Sequence, residues 1–200
     1  MSTARESSLK DGVREGSEAV PVLGVLEFSS IAVGIKAMDD MVKAAPIKII
    51  DAKTVCPGKF VVLITGEVAA VDASLTAGKA GKEGLLIDEL FIANLHPYII
   101  PAIVGAVECE IWDAVGIIES FSVVASIVAG DIAAKTADVV ITELRLAAGM
   151  GGKSYVKMMG NVYEVGAGMA AGVKYVQERG LLCQEVIIPK PHPDIRPFFL

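Results

Sequence analysis

The chain has 200 residues, of which 53% are hydrophobic and only 21% charged, with a formal net charge of −6. So apolar a composition excludes general disorder, and the absence of a basic run argues against a nucleic-acid partner. No apolar run reaches the roughly 18–20 residues that a membrane-spanning helix needs, so we expect no membrane partner.

The polar N-terminus begins the chain without the apolar segment of a secretory signal. We expect residues 1–20 to form a flexible tail. The cysteines are Cys56, Cys109 and Cys183, an odd number. With no export signal, this predicts a reducing cytosolic setting.

The first half then alternates strands and helices. Residues 22–28 form a β-branched run that predicts a strand, and residues 29–43 predict a helix that Ser29 or Ser30 can cap. Four apolar side chains of this helix share one face: Ile31, Ile35, Met38 and Val42. The remaining elements are strands at 47–52, 60–65 and 85–93 and helices at 68–79 and 96–103. The order β-α-β-β-α-β predicts a ferredoxin-like α/β fold, an α+β sandwich.

The sequence also repeats itself. Gly24-Val-Leu-Glu27 returns as Gly116-Ile-Ile-Glu119, 92 residues later, and the offset grows to 94 at Gly152-Lys153 and 96 at His192-Pro193. The repeat predicts two tandem domains, at 21–108 and 113–200. A duplicated domain with surplus apolar surface favours a closed ring, in which three chains would form a pseudo-hexameric trimer.

Several segments resemble the shell proteins of bacterial microcompartments. The strand–helix openings at 23–32 and 115–123 resemble the start of a shell domain. The loop Lys53-Thr-Val-Cys-Pro-Gly-Lys-Phe60, with Ala93-Asn-Leu-His-Pro97 and Ile188-Pro-Lys-Pro-His192, resembles the T-type proteins of propanediol-utilisation microcompartments. The resemblance spans residues 22–196 in the unpermuted strand order. It implies a non-enzymatic homotrimer of tandem domains that tiles the shell of this bacterial organelle beside other shell proteins.

The resemblance also implies a 4Fe–4S cluster at the three-fold axis, one per trimer, bound by one cysteine of each chain at the position of Cys56. The implied task is electron transfer across the shell, with encapsulated redox enzymes as partners. Shell-edge contacts are expected at three lysines: Lys43, Lys135 and Lys190. Asn94 and Lys190 stand where the family has a partner arginine, which is a departure from its pattern.

The chemistry of the Cys56 loop suits such a site if three copies converge, because thiolates are the usual ligands of iron–sulfur clusters. Pro57 stiffens the turn, Gly58 permits a positive φ, and backbone N–H groups could donate to cluster sulfurs. Nearby cations are expected to offset the cluster's negative charge: Lys53, Lys59, Arg145 and Lys153. The alternative for a lone cysteine is a small buried hydrophobe.

A glycine-rich stretch at 148–153 is the second-half counterpart of this loop. It lacks the phosphate-binding pattern, because Ala147 stands where that pattern requires glycine. We expect both loops to line a central pore that could also pass or bind a small anion. The predicted pore-lining residues are Thr54, Val55, Pro57, Gly58, Gly149, Met150, Gly151 and Gly152.

Two alternatives remain open: a shell trimer with an open metabolite pore and no cluster, and a ferredoxin-like regulatory or ligand-binding enzyme module. The second is disfavoured because no acid–base or nucleophile–base pair is evident, and we predict no catalytic residue. We interpret Cys109 and Cys183 as structural, and His96 and His192 as residues that begin short helices.

Overall fold

The computed structural model describes residues 22–105 and 107–199, so the predicted tail at 1–20 lies outside the described residues. Within these ranges, no helix combines the length and the apolarity that crossing a membrane requires.

Each half of the chain has the predicted β-α-β-β-α-β order. The first half consists of β1 (Leu23–Phe28), α1 (Ile31–Ala44), β2 (Ile47–Val55), β3 (Lys59–Gly66), α2 (Val68–Lys79), β4 (Leu86–Ile92) and the short helix α3 (Ile99–Val104). The second half consists of β5 (Ala114–Ser120), α4 (Val123–Thr136), β6 (Val140–Arg145), β7 (Ser154–Gly160), α5 (Val162–Glu178), β8 (Leu182–Pro189) and a 3₁₀ helix (Pro193–Phe198). The prediction of an α+β fold in each half of the chain is confirmed.

Two antiparallel sheets carry the fold, in the strand orders β2-β3-β1-β4 and β6-β7-β5-β8. Alternate residues of a strand face opposite sides of its sheet, and one side of the first sheet packs against α1 and α2. Leu26 and Phe28 meet Met41 and Val71 in this layer. The two sheets place β4 and β8 at equivalent edges.

Serine caps begin the equivalent helices α1 and α4. The Ser30 hydroxyl accepts a hydrogen bond from the Val33 N–H at 3.4 Å, and the Ser122 hydroxyl accepts one from the Ala125 N–H at 3.1 Å. A cap of this kind satisfies a backbone donor that the first helical turn leaves unpaired. Both helices therefore start where the local sequence predicts.

The apolar face of α1 points away from the core of its own half. Ile31, Ile35 and Val42 are 37%, 48% and 44% exposed, whereas the side that packs on the sheet carries Gly34 and Met41. Gly34 on that side lets the helix approach Phe60 of the sheet closely. Three large apolar side chains of the helix are left on the outer side.

Helix α4 buries the face that α1 exposes. At the positions equivalent to Ile31 and Ile35, Val123 and Ile127 are 1% and 0% exposed. They belong to one core cluster with Val25 of the first sheet. The second half therefore docks its first helix onto the first half of the same chain, and the junction between the halves is a continuous hydrophobic core.

Candidate functional site: the paired Cys56 and Gly152 loops

The loop between β2 and β3 lies directly against its counterpart between β6 and β7. The Cys56 N–H donates a hydrogen bond to the Ala147 carbonyl oxygen at 3.1 Å. Gly152 has φ +88°, and a Cβ built there would lie 3.4 Å from the Cys56 carbonyl oxygen. Glycine is needed at this position both for its left-handed conformation and for the close approach of the two loops.

The paired loops present small residues at the surface. Cys56 is half-buried, and Pro57 and Gly58 beside it are exposed. The other predicted pore positions on this surface are Thr54, Gly149 and Gly151, which are exposed, and Met150 and Gly152, which are half-buried. The structure thus brings the two predicted sets of residues together within one chain.

Val55 differs from the other members of the predicted pore-lining set. Its side chain is 3% exposed and packs in the same core cluster as Leu146 and Ala147. Successive residues at the end of β2 face opposite sides, so Val55 faces inward where Thr54 faces outward. The prediction that Val55 lines a pore is wrong for its side chain.

The backbone of the Cys56 turn is also less available than we expected. The Cys56 N–H is already engaged by Ala147, so it is not free to donate to a cluster sulfur. Its hydrogen bond instead fixes the turn onto the second-half loop. The position of the Cys56 thiol is therefore set by both halves of the chain.

Two of the four cations near the loops form equivalent ion pairs across each sheet. Lys59 Nζ lies 2.9 Å from Glu27 Oε1, and Lys153 Nζ lies 3.1 Å from Glu119 Oε2. The hydrogen bond to Glu119 is the main cause of a raised pKa at Lys153. The Glu27 side chain is 3% exposed and that of Glu119 is 38% exposed, because the first sheet is covered by the second half of the chain.

The other two cations pair along their own strands. Lys53 Nζ lies 2.7 Å from Asp51 Oδ2, and Arg145 Nε lies 2.5 Å from Glu143 Oε1. All four cations therefore have a carboxylate partner. A cation paired with a carboxylate adds little net field, so these pairs reduce the positive charge that could offset the negative charge of a cluster.

The remaining cysteines lie away from the loop surface or at its margin. Cys109 is buried beside Val115 and Met159, as expected for a structural residue. Cys183, which we also interpreted as structural, lies on the edge strand β8 and is half-buried. In residues 22–105 and 107–199, no group of three or more potential metal ligands comes together within one chain.

His192 begins a short helical segment, as predicted, whereas His96 lies three residues before the first residue of α3. The Nδ1 atom of His192 accepts a hydrogen bond from the Asp194 N–H at 3.2 Å and caps the 3₁₀ helix. The Nδ1 atom of His96 accepts one from the Tyr98 N–H at 3.4 Å, just before α3.

Asp131 is a junction residue that we did not single out from the sequence. Its Oδ1 atom accepts a hydrogen bond from the His96 N–H at 2.7 Å, and its Oδ2 atom lies 2.6 Å from Lys135 Nζ. Lys135 also donates to the Asn94 carbonyl oxygen. The repeat of Asp-x-x-x-Lys, at Asp39 and again at Asp131, was the signal that could have found it.

A cluster of polar side chains on the second sheet has no counterpart in the repeat that could have predicted it. Lys157 Nζ lies 3.0 Å from Glu143 Oε2, and the Tyr155 hydroxyl donates to the same oxygen at 2.9 Å. Burial, followed by this hydrogen bond, raises the pKa of Tyr155 to about 12. The first half has Val61 and Leu63 at the equivalent places, so the repeat does not predict this cluster.

The three predicted shell-edge lysines lie in different surroundings. Lys135 is tied into the junction between the halves, whereas the Lys43 side chain is 70% exposed and pairs with Asp39 at 2.6 Å. Lys190 follows β8, and its N–H donates to the Asp113 carbonyl oxygen at 2.6 Å.

Comparison with known proteins agrees with this architecture. A family model described as the BMC domain matches residues 22–95 and 114–191. The chain is 38% identical over 173 residues to the bacterial microcompartment shell protein PduT of Citrobacter freundii, covering 86% of this chain and 94% of that protein.

Comparison with solved structures also identifies microcompartment proteins as similar to this chain. A microcompartment protein from Desulfitobacterium hafniense is 45% identical, with a TM-score of 0.83 over 90% of this chain and 99% of that chain. The fused permuted hexameric shell protein MSM0275 is 17% identical, with a TM-score of 0.58 over 78% of this chain and 81% of that chain, and shows likeness of fold alone. The protein is a structural component and not an enzyme. The chain belongs to the BMC-domain family and is a shell protein of a bacterial microcompartment.

Proposed function

We propose that the protein is a homotrimeric shell tile that holds one 4Fe–4S cluster between three Cys56 thiolates and transfers electrons across the shell. The observation that carries the proposal is the pairing of the Cys56 loop with the Gly152 loop at a head-to-tail junction. Other shell proteins of the layer, and redox enzymes inside the compartment, are the proposed partners.

The junction inside one chain supports ring closure. It joins the first helix of one domain to the sheet of the other, so it is heterologous, and a heterologous contact repeated with a closing rotation generates a ring. The same helix surface of the other domain is exposed at Ile31, Ile35 and Val42. Repetition of one junction around six domains would cover these side chains and close three chains.

In such a ring, Cys56 loops and Gly152 loops would alternate around the axis. Each chain supplies one half-exposed thiol at the tip of a short turn, and the described residues of a single chain offer no complete ligand set. The residues fit a cluster shared by three chains and not one held by a single chain. When bound, such a cluster supplies one-electron exchange; the chain's own part is to hold the Cys56 thiol at the loop surface.

A second candidate function is an open pore for small metabolites, without a cluster. The observation in its favour is the pairing of all four loop cations with carboxylates, which leaves no excess positive charge to stabilise a thiolate-bound cluster. The exposed glycines at Gly58, Gly149 and Gly151 would leave room along the axis.

Anaerobic purification of the full chain tests the proposal. We expect a trimer by light scattering, a broad brown absorbance, and about one cluster per three chains by iron and sulfide analysis. Cys56→Ser should lose iron and colour, and Cys183→Ser should keep both. A colourless trimer without iron after reconstitution would favour the open pore, and a monomer would refute the ring itself.

A further inference from the structure

A groove on the second domain runs between α5 and the edge strand β8. It has a volume of about 410 Å³, which lies within the range typical of ligand pockets. Gly166, Ala170 and Val173 line it from the helix, and Glu185 and Ile187 line it from the strand. A Cβ built at Gly166 meets no atom of the described residues within 4 Å, so the groove is open at this residue.

The equivalent groove of the first domain is bridged by an ion pair. Lys79 at the end of α2 reaches Glu89 on β4, with 2.6 Å between Nζ and Oε2. The repeat places Val173 at the position of Lys79 and Glu185 at the position of Glu89. The second domain therefore keeps the carboxylate but lacks the cation that joins helix to strand.

Three positions on α5 carry smaller or more apolar side chains than their counterparts on α2. The pairs, second domain first, are Val173 and Lys79, Ala170 and Thr76, and Gly166 and Asp72. The packing of the helices supports this alignment. A Cβ at Gly78 would lie 2.8 Å from the Leu26 side chain. In the same way, a Cβ at Gly172 would lie 2.9 Å from Ile118, the counterpart of Leu26.

The carboxylate of Glu185 is left without a partner. In residues 22–105 and 107–199, neither of its oxygens takes part in a hydrogen bond or an ion pair, and the residue is exposed. A ligand that brings a cation to this place would do what Lys79 does in the first domain. Charge complementarity therefore favours an occupant that is basic at one point and apolar beside it.

The strand that borders the groove has an unpaired edge. β8 is the last strand in the order β6-β7-β5-β8, so one side of its backbone has no neighbouring strand in the described part of the chain. Glu185 and Ile187 pair with Ile118 and Gly116 of β5, and a Cβ at Gly116 would lie 2.8 Å from Met169 of α5. Glu185 and Ile187 therefore both face the helix, two residues apart.

Ring closure leaves this groove accessible. Within one chain, the second domain covers the opposite side of the first sheet, where the Ser122 hydroxyl donates to Asp88 Oδ2 at 3.3 Å. On the groove side, the Glu89 side chain remains 50% exposed and Phe91 is 40% exposed. Repetition of the junction between chains would cover the equivalent side of the second sheet and leave the groove between α5 and β8 open.

We propose that this groove binds an extended segment of a partner protein, which adds a strand beside β8. The segment carries a lysine or arginine opposite Glu185 and an apolar residue two positions away, opposite Ile187, because alternate residues of a strand face the same side. Backbone hydrogen bonds to β8 supply affinity, and these two side chains supply selectivity. The inference uses residues of one chain and does not depend on the cluster proposed at Cys56.

Fluorescence anisotropy with the full chain and a labelled synthetic peptide tests the site. The probe is acetyl-Thr-Thr-Arg-Thr-Leu-Thr-Thr, and the comparison peptide has glutamate in place of arginine. We expect saturable binding of the arginine peptide and weaker binding of the glutamate peptide. Glu185→Gln, at an exposed position, should raise the dissociation constant of the arginine peptide by about two- to five-fold, the effect of an ion pair near the surface.

Further variants separate this groove from its counterpart. Val173→Lys supplies the lysine of the first domain and should weaken binding at least as much as Glu185→Gln; Ala170→Thr serves if that variant does not fold. Glu89→Gln is the matched control and should leave the dissociation constant unchanged. Of two peptides N-methylated at alternate residues, one should lose binding, because only alternate N–H groups of a strand point toward its neighbour.

Equal binding of the arginine peptide to the wild type, Glu185→Gln and Val173→Lys would overturn the site, as would the absence of binding to the wild type. If both N-methylated peptides bind as the parent does, no strand is added and the proposal is wrong. If the peptide binds only after residues 2–20 are deleted, the chain's own terminus is the occupant and not a partner. A colourless, iron-free protein that still binds the peptide would refute the cluster and support the groove.

Discussion

Gly34 on α1 is held next to Phe60, the second residue of β3 after the Cys56 turn, and substitution there should destabilise the chain. A Cβ at Gly34 would lie 2.6 Å from both Cβ and Cδ1 of Phe60, which is 5% exposed. Overpacking of this kind costs about 1–3 kcal/mol, while serine recovers about 0.5 kcal/mol of helix propensity relative to glycine. We expect Gly34→Ser to lower the free energy of unfolding by about 1–2 kcal/mol.

The second half of the chain provides the control for this substitution. Ser126 and Ser154 occupy the equivalent positions, their hydroxyl oxygens are 2.7 Å apart, and Ser154 also donates to the Ser122 carbonyl oxygen at 2.7 Å. Phe60→Ser alone should cost about 3–5 kcal/mol through the cavity that it leaves. Combined with Gly34→Ser, it should recover at least about 1 kcal/mol, because the clash disappears and a serine pair can form.

Urea denaturation of the four proteins at one subunit concentration measures this double-mutant cycle. If the two costs simply add, or if Gly34→Ser alone is neutral, then the close packing of Gly34 on Phe60 does not determine which residues this layer accepts.

Two further predictions concern titratable groups at the junction and on the second sheet. Burial lowers the pKa of His96 from its ordinary 6.5, and the charge of Asp131 opposes this shift. As the pH drops through 6.5, the unfolded chain binds the proton before the folded chain does, so the free energy of unfolding should fall. His96→Gln should flatten this part of a profile of the free energy of unfolding against pH. Lys157→Met should lower the free energy of unfolding by about 2 kcal/mol. Removal of one partner of a buried ion pair usually costs ~3–5 kcal/mol. The loss should be smaller here because Glu143 still accepts hydrogen bonds from Arg145 and Tyr155. Replacing Glu143 with leucine in the same protein should restore part of that loss, and a larger loss in the double variant would contradict the reasoning.

Sequence alone was sufficient for the elements and their order, because the signals involved are local. The start of α1 at Ser30 depends on one side chain and a backbone donor three residues away. The order of strands and helices along the chain follows from hydrophobic runs and from a repeat that the second half reproduces with only small insertions. The Cys56 loop was found through its resemblance to a known family, and the repeat aligned it with the Gly152 loop.

The tertiary structure decided which surfaces and charges are available. Periodicity records that Ile31 and Ile35 share a face of their helix, but not whether another element covers it. The equivalent face of α4 is buried only because the first half of the chain lies against it. Likewise, Lys59 reaches Glu27 only through the register of β1 on β3, and the Cys56 N–H is engaged only because the second half brings Ala147 beside it. These contacts join residues far apart in the chain, and their existence depends on how the two domains pack, which no local pattern specifies.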